Sequence, residues 1–272
     1  LLKWILLFLG VGVFYLWFKG QKQLKTKQKN MVKPNANKAP AAVKPQTMVQ
    51  CQYCKVHLPQ ADAMVNDGRF YCSKEHLQAL DERGWIGSAS WRVSPNQDVR
   101  LENMQPDLLV IHHISLPPGE FKNQDSSRHI VDFFQNTLDP NKHPYFAEIA
   151  DQKVSSHFLI TRTGELVQFV PTQNRAWHAG SSSFMGREKC NNFSIGVELE
   201  GDGNTPFTET QYKSLTQLVQ KLLSSYPNLQ FAGHSDIAPD RKTDPGKYFD
   251  WERFQKETAI APEKMPYGVV SR

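Results

Sequence analysis

Residues 108–114 read LLVIHHI, four apolar residues in succession followed by two histidines and a final isoleucine. A strand with one face in water alternates apolar and polar residues, so an unbroken run requires cover on both faces. That demand points to a layered sheet-and-helix architecture. SHFLIT (156–161) and ELVQFV (165–170), joined by RTG, read as a hairpin. FSIGVELE (193–200) and LQFAGH (229–234) read as further strands. Between those two lies TETQYKSLTQLVQKLLSSYP (208–227). There Thr208 and Gln211 form a capping box, Leu215, Leu218, Val219, Leu222 and Leu223 share one helical face, and Pro227 stops the helix. No internal repeat is present. The expected fold class is α/β, a mixed β-sheet flanked by helices, with chemistry at the strand ends.

The 272 residues suit one domain of roughly 150–200 residues plus something smaller. The net charge of +5 is unevenly spread: residues 1–50 hold nine lysines and no acid, leaving a balance of −4 for residues 51–272. Basic residues are therefore not in excess on the folding part, which argues against nucleic acid as a partner. Residues 1–18, LLKWILLFLGVGVFYLWF, are nearly all apolar. Residues 4–18 carry no charge and would make a helix of about 22 Å, somewhat short of a hydrocarbon core of ~30 Å. FYLWFKGQK offers no small-x-small cleavage site, so an uncleaved transmembrane anchor is favoured over a signal peptide. Lysines crowd its C-terminal flank, and the positive-inside rule then puts the remainder in the cytoplasm, tethered to the inner membrane. Residues 19–48 read as a basic flexible linker.

Residues 49–80 form a second unit. Cys51 and Cys54 make a Cys-x-x-Cys pair, and Cys72 with His76 makes a Cys-x-x-x-His pair. Four such donors suit a closed tetrahedral zinc site, with a redox pair or ordinary buried thiols as the bland reading. NDG (66–68) between the pairs is a hairpin signal, with RFYC as the returning strand. A segment this small has little core, so a metal would supply much of its folding energy.

From about residue 81 strands and helices alternate. Two strands end in histidine, one at His112 and His113 and the other at His234. Asp244 follows His234 by ten residues across a proline-punctuated loop, GHSDIAPDRKTDPG (233–246). Two imidazoles and one carboxylate leave a fourth tetrahedral position open, as catalytic zinc requires. Strand alternation sends His112 and His113 to opposite faces, so only one of them can bind. Lys242 beside such a centre makes electrostatic sense if negative charge develops there, as in amide hydrolysis. A proton acceptor is also needed; Glu198 in VELE is the best candidate, and Glu200, on the same face, the alternative. Taken singly, each of these side chains is more often a core or surface residue than a catalytic one.

Several segments together resemble the AmpD-type N-acetylmuramoyl-L-alanine amidases. They are WIGSASWRVSPN (85–96), IHHISLPPGEF (111–121), HPYFAEIADQKVSSHFLI (143–160), AWHAG (176–180), GREKCNNFSIGVELEG (186–201) and GHSDIAPDRKTDPGKYFDW (233–251). The resemblance runs from about residue 81 to 256 and implies the fold shared by a phage amidase and peptidoglycan recognition proteins. It implies zinc held by His112, His234 and Asp244, with Glu198 and Lys242 as the catalytic pair. It places Trp177 in the substrate cleft and His157 near the site without making it a ligand. His113 stands where the family usually has Asn, and Lys153 and Lys189 stand where it usually has Arg. These four residues, His113, Lys153, Trp177 and Lys189, are the expected substrate contacts. The N-terminal part resembles short bacterial membrane-anchored proteins with a zinc-ribbon-like segment.

The resulting expectation is a zinc amidase over residues 81–260, with a tail at 261–272. It cleaves the lactyl–L-alanine amide of (1,6-anhydro) muropeptides returning for recycling, and it carries a second, structural zinc at Cys51, Cys54, Cys72 and His76. The competing expectations are a non-catalytic peptidoglycan-binding module and a periplasmic amidase acting on intact wall. A third expectation makes the small module the working part; the missing basic patch argues against nucleic acid there and leaves a protein partner of unknown identity open.

Overall fold

The structure, a computed structural model, describes residues 15, 19, 46–101, 104–121 and 124–269. All of the expected anchor but Tyr15, and almost all of the linker, lie outside the described residues, and among those described no helix is long and apolar enough to cross a membrane. The chain splits into two compact units, Leu1–Gln46 and Thr47–Arg272.

The N-terminal part of the second unit is a small module. Strand β1 (Met48–Gln50) pairs antiparallel with β2 (His57–Pro59), and β3 (Met64–Asn66) pairs antiparallel with β4 (Arg69–Tyr71). The second hairpin is the one NDG announces: Asp67 and Gly68 both have positive φ, as a two-residue turn matching strand twist requires. Helix α1 (Lys74–Gln78) follows, its first turn capped by Ser73, whose hydroxyl accepts from the His76 N–H at 3.2 Å.

Next come strands β5 (Ser90–Trp91), β6 (Gln97–Val99) and β7 (Leu108–Ile114), then helices α2 (Gln124–Phe134) and α3 (Pro144–Ile149). They are followed by β8 (Phe158–Ile160), β9 (Leu166–Gln168), β10 (Asn174–Ala176), β11 (Ser183–Phe184), β12 (Arg187–Glu188) and β13 (Ser194–Glu200). The chain closes with α4 (Glu209–Ser225), β14 (Gln230–Gly233), α5 (His234–Ile237) and α6 (Trp251–Thr258).

Six strands form one mixed sheet in the order β14-β7-β13-β8-β9-β5. Strands β14, β7, β13 and β8 run parallel, β9 runs antiparallel to β8, and β5 runs parallel to β9. The LLVIHHI strand thus sits between two parallel neighbours, and its first five residues are buried. Its odd-numbered residues Leu109 and Ile111 join Ile195, Val197 and Leu199 in a core covered by α4 and α6. Its even-numbered residues Leu108 and Val110 face a second cluster containing Phe184, Phe193 and Ala232. A third cluster packs Leu159, Val167 and Phe169 against α2 and α3. Both faces of the sheet are therefore covered, as the unbroken apolar run demands.

Helix α4 carries the expected reciprocal cap: the Gln211 N–H donates to the Thr208 hydroxyl at 3.2 Å and the Thr208 N–H to Gln211 Oε1 at 3.0 Å. Leu215, Leu218, Val219 and Leu222 are fully or almost fully buried. Burial of each contributes about 1.5–3 kcal/mol. Within the expected tail at 261–272, Met265 is buried in the same core as α4.

Candidate metal centre and catalytic cleft

The even-numbered face that carries Leu108 and Val110 continues at the strand end as His112. On the neighbouring strand β14, Ala232 lies on the same face, and His234 follows it at the first residue of α5. The loop after α5 turns back: Lys242 N–H donates to Ala238 O at 2.9 Å, and Ser235 N–H to Asp244 O at 2.8 Å. That second bond ties the two ends of the loop together and delivers Asp244 beside His234. Three buried side chains converge as a result. His112 Nδ1 lies 2.9 Å from His234 Nδ1 and 2.9 Å from Asp244 Oδ2, and His234 Nδ1 lies 3.0 Å from Asp244 Oδ2.

The hydrogen-bond network assigns the hydrogens. His234 Nε2 faces the carbonyl of Ala179 at 3.2 Å, which only accepts, so Nε2 carries the hydrogen and Nδ1 a lone pair. His112 is fixed by a longer chain. The Ser194 hydroxyl donates to Cys190 O at 2.6 Å and so must accept from His178 Nε2 at 3.0 Å. His178 Nδ1 is then an acceptor, and it takes the Nε2 hydrogen of His112 at 2.9 Å. Burial, then the neighbouring His234, push His112 down to about 4, in keeping with a neutral imidazole. Two nitrogen lone pairs and a carboxylate oxygen thus face one another about 3 Å apart. Such a set is repulsive unless a cation lies between its members, and its chemistry fits zinc.

Glu198 lies directly opposite His112 in the β7–β13 register. It is 7 % exposed, and its Oε2 has no hydrogen-bond partner. Burial, then the charge of Asp244, raise this carboxyl well above the usual carboxylate range, while Lys242 opposes the shift. Glu200 is on the same face but is engaged elsewhere, accepting from the Ser127 hydroxyl at 3.0 Å and the Arg162 N–H at 2.8 Å. Of the two glutamates, only Glu198 lines the cleft. Lys242 is half-buried and lines the same cleft, whose volume is about 540 Å3.

Trp177 is half-buried on the cleft wall, and His113 lines the cleft as well, its Nδ1 buried without a partner. The expected opposition of His112 and His113 shows in their neighbours: His113 packs against Gly203, away from the three converging donors. Lys153 and Lys189 are exposed and line no part of this cleft, although Gln152 and Val154 on either side of Lys153 do. Lys189 instead precedes a short 3-10 turn at Cys190–Asn192. His157 is fully buried; its Nδ1 accepts from the Gly196 N–H at 3.0 Å and its Nε2 lies 3.1 Å from Asn174 O, so it supports the sheet.

The residue that sequence reasoning missed is His178. The Asn191 side-chain oxygen accepts from the backbone N–H groups of His178 and Ala179, at 3.1 and 2.8 Å, and holds the AWHAG loop against the turn at Cys190–Asn192. Gly196 makes room for the ring, since a Cβ there would come within 2.6 Å of His178 Cγ. The visible signals were a histidine beside Ala179 and Gly180, and a glycine inside an otherwise fully buried strand.

A profile of the N-acetylmuramoyl-L-alanine amidase family matches residues 102–247, more than half of the chain. The chain is 51 % identical to the 1,6-anhydro-N-acetylmuramyl-L-alanine amidase AmpD of Escherichia coli (strain K12) over 178 residues, which is 65 % of this chain and 95 % of the relative. It is 52 % identical to the protein of the same name from Citrobacter freundii, over 65 % of this chain and 92 % of that one. It is 35 % identical to the N-acetylmuramoyl-L-alanine amidase AmiD of Escherichia coli (strain K12), over 65 % of this chain and 62 % of that relative. Among solved structures, a crystal structure of a selenomethionine AmpD derivative superposes with a TM-score of 0.62 at 50 % identity, covering 65 % of this chain and 97 % of that one. On these matches, and on a cleft that brings together two histidines, an aspartate, a glutamate and a lysine, the chain belongs to the N-acetylmuramoyl-L-alanine amidase family.

Proposed function

We propose that this amidase hydrolyses the bond between the lactyl group of 1,6-anhydro-N-acetylmuramic acid and L-alanine, in muropeptides recovered during peptidoglycan recycling, and that it works with zinc at His112, His234 and Asp244. The observation that carries the reading is the convergence of three mutually repelling donors beside an unpartnered buried carboxyl. The choice of the anhydro sugar is supported by the names of the relatives that this chain covers almost end to end.

When bound, zinc acts as a Lewis acid toward the amide carbonyl and makes water a better nucleophile at neutral pH. The protein does the rest. Glu198, held next to His112 by the β7–β13 register, takes the proton that the attacking water loses and passes it to the departing L-alanine nitrogen. Its raised affinity for a proton suits both halves of that transfer. The Lys242 ammonium on the cleft wall offsets the negative charge that develops on the carbonyl oxygen. Trp177 offers an apolar face to the sugar or peptide. His178 keeps the Nδ1 lone pair of His112 turned toward the metal.

Mass spectrometry of products from the purified chain, given anhydro-muropeptide in one reaction and intact sacculi in another, tests the substrate. Free peptide is expected from the first only, and release from sacculi alone would replace this reading with a wall-degrading one. The reading also puts the catalytic domain on the cytoplasmic side of the inner membrane, supported by the lysines that follow residues 1–18. Protection from external protease in spheroplasts is the expected outcome.

A further inference from the structure

The amidase chemistry uses none of the three cysteines of the N-terminal module, yet the fold gathers them around one point. Cys51 directly follows β1, and Cys54 comes across a tight turn in which the Lys55 N–H donates to Cys51 O at 3.0 Å. Cys72 follows β4, and α1 brings His76 round one turn later. Cys54 Sγ lies 3.7 Å from Cys72 Sγ, Cys51 Sγ lies 3.9 Å from His76 Nδ1, and Cys72 Sγ lies 3.0 Å from the same nitrogen. All four donor atoms fall within 4.8 Å of one another. A tetrahedron with metal–sulfur bonds of about 2.3 Å and a metal–nitrogen bond of about 2.0 Å has edges of roughly 3.5–3.8 Å. The observed spacings bracket that range. They are also far beyond the ~2.05 Å of a disulfide, so no pair of these sulfurs is joined.

The module is fastened to the amidase sheet at a particular place. Its hairpin turn lies over residues 87–91, with the Asn66 side-chain amide donating to Gly87 O at 2.9 Å and Arg69 Nη2 donating to Ala89 O at 2.7 Å. The Arg69 guanidinium lies 3.6 Å from the centre of the Trp91 ring, and Asp67 accepts from the Trp91 N–H at 3.2 Å. Tyr71 fills the space beside Gly87, where an added Cβ would come within 2.6 Å of its ring. These contacts cover β5, the outermost strand of the six-stranded sheet. Three-residue strands cannot hold such a hairpin in place by their own ladder alone.

We propose that Cys51, Cys54, Cys72 and His76 bind a second zinc ion, separate from the catalytic one and closed to substrate, and that this ion fixes the β3–β4 hairpin over the sheet edge at β5. With no open ligand position the site is structural, and its loading is independent of the cleft. The full chain, purified under reducing conditions, is expected to carry two zinc ions by elemental analysis. Cys54→Ser is expected to keep one zinc and its amidase activity, and to exchange backbone amides faster over residues 85–92. Asp244→Ala is expected to keep one zinc and normal exchange there. Reconstitution of the wild-type chain with Co2+ gives a check that needs no variant, because only cysteine ligation produces an intense thiolate-to-cobalt charge-transfer band. A wild-type chain without that band, or one whose only zinc disappears in Asp244→Ala, overturns the site. Two zinc ions with unchanged exchange over residues 85–92 in Cys54→Ser overturns the clamp. Because the band and the exchange rate do not depend on turnover, failure of the amidase reading would leave both measurements intact.

Discussion

The two donor clusters of this chain are built in opposite ways. The His112–His234–Asp244 centre grows from the ends of buried strands, with apolar clusters beneath it and a hydrogen-bond chain behind it. The Cys51–Cys54–Cys72–His76 cluster grows from three-residue strands and a five-residue helix, and of its four donors only Cys51 is fully buried. In the first the core sets the geometry and a metal completes it. In the second little but a metal can set the geometry. Loss of a donor should therefore cost the first chemistry and the second order.

Asp244→Ala offers the largest effect. It removes one donor from a frame that survives, so turnover should fall by about 10⁴-fold or more while the circular dichroism spectrum stays native. A collapse of the fold would show that the centre, too, depends on its metal for order. Glu198→Gln comes next, with kcat lowered by about 10²–10⁴-fold and zinc content unchanged. Lost zinc in that variant would make Glu198 a ligand rather than a proton carrier. His178→Ala should weaken zinc binding at the centre by about 10–100-fold, read by competition with a chromophoric chelator, with little change in KM. Cys54→Ser should alter kcat/KM by less than about twofold, since its contacts are remote from the cleft.

A pH series sharpens the same comparison. The folded-state pKa of Glu198 is raised above its unfolded value, so the folded metal-free chain binds more protons than the unfolded one between those two values. Its contribution to stability is favourable at low pH and is lost as pH rises from the ordinary carboxylate range toward the raised value. Glu198→Gln lacks that loss. In chelator-treated protein the variant should therefore gain on the wild type as pH increases, measured by urea unfolding. A gap that shrinks with rising pH would mean that the carboxyl is not buried unpaired.

How much of this was legible in the sequence depended on where each feature gets its geometry. LLVIHHI, SIGVELE and the α4 helix announce themselves because their burial pattern is written locally, along consecutive residues. The two-residue strand β5 does not, because a partner distant in sequence, β9, creates it. The three donors of the centre were legible as strand-end histidines and a carboxylate on a rigid loop. His178 was not, since its role exists only where Gly196 leaves space and Ser194 offers an acceptor. Lys153 and Lys189 rested on a resemblance alone, and their exposed positions outside the cleft have no counterpart in any local pattern. The place of Met265 in the core is likewise set by tertiary packing and not by any local pattern.

The hydrogen-bond chain behind His112 ends on the main-chain oxygen of Cys190, not on its thiol. A peptide carbonyl cannot reverse its polarity, so the sense of every bond from there to the metal-facing nitrogen is inherited from a group no side-chain substitution can invert. The fourth cysteine of the chain is thus a bystander through its sulfur. Any residue able to hold the same short turn would pass on the same instruction.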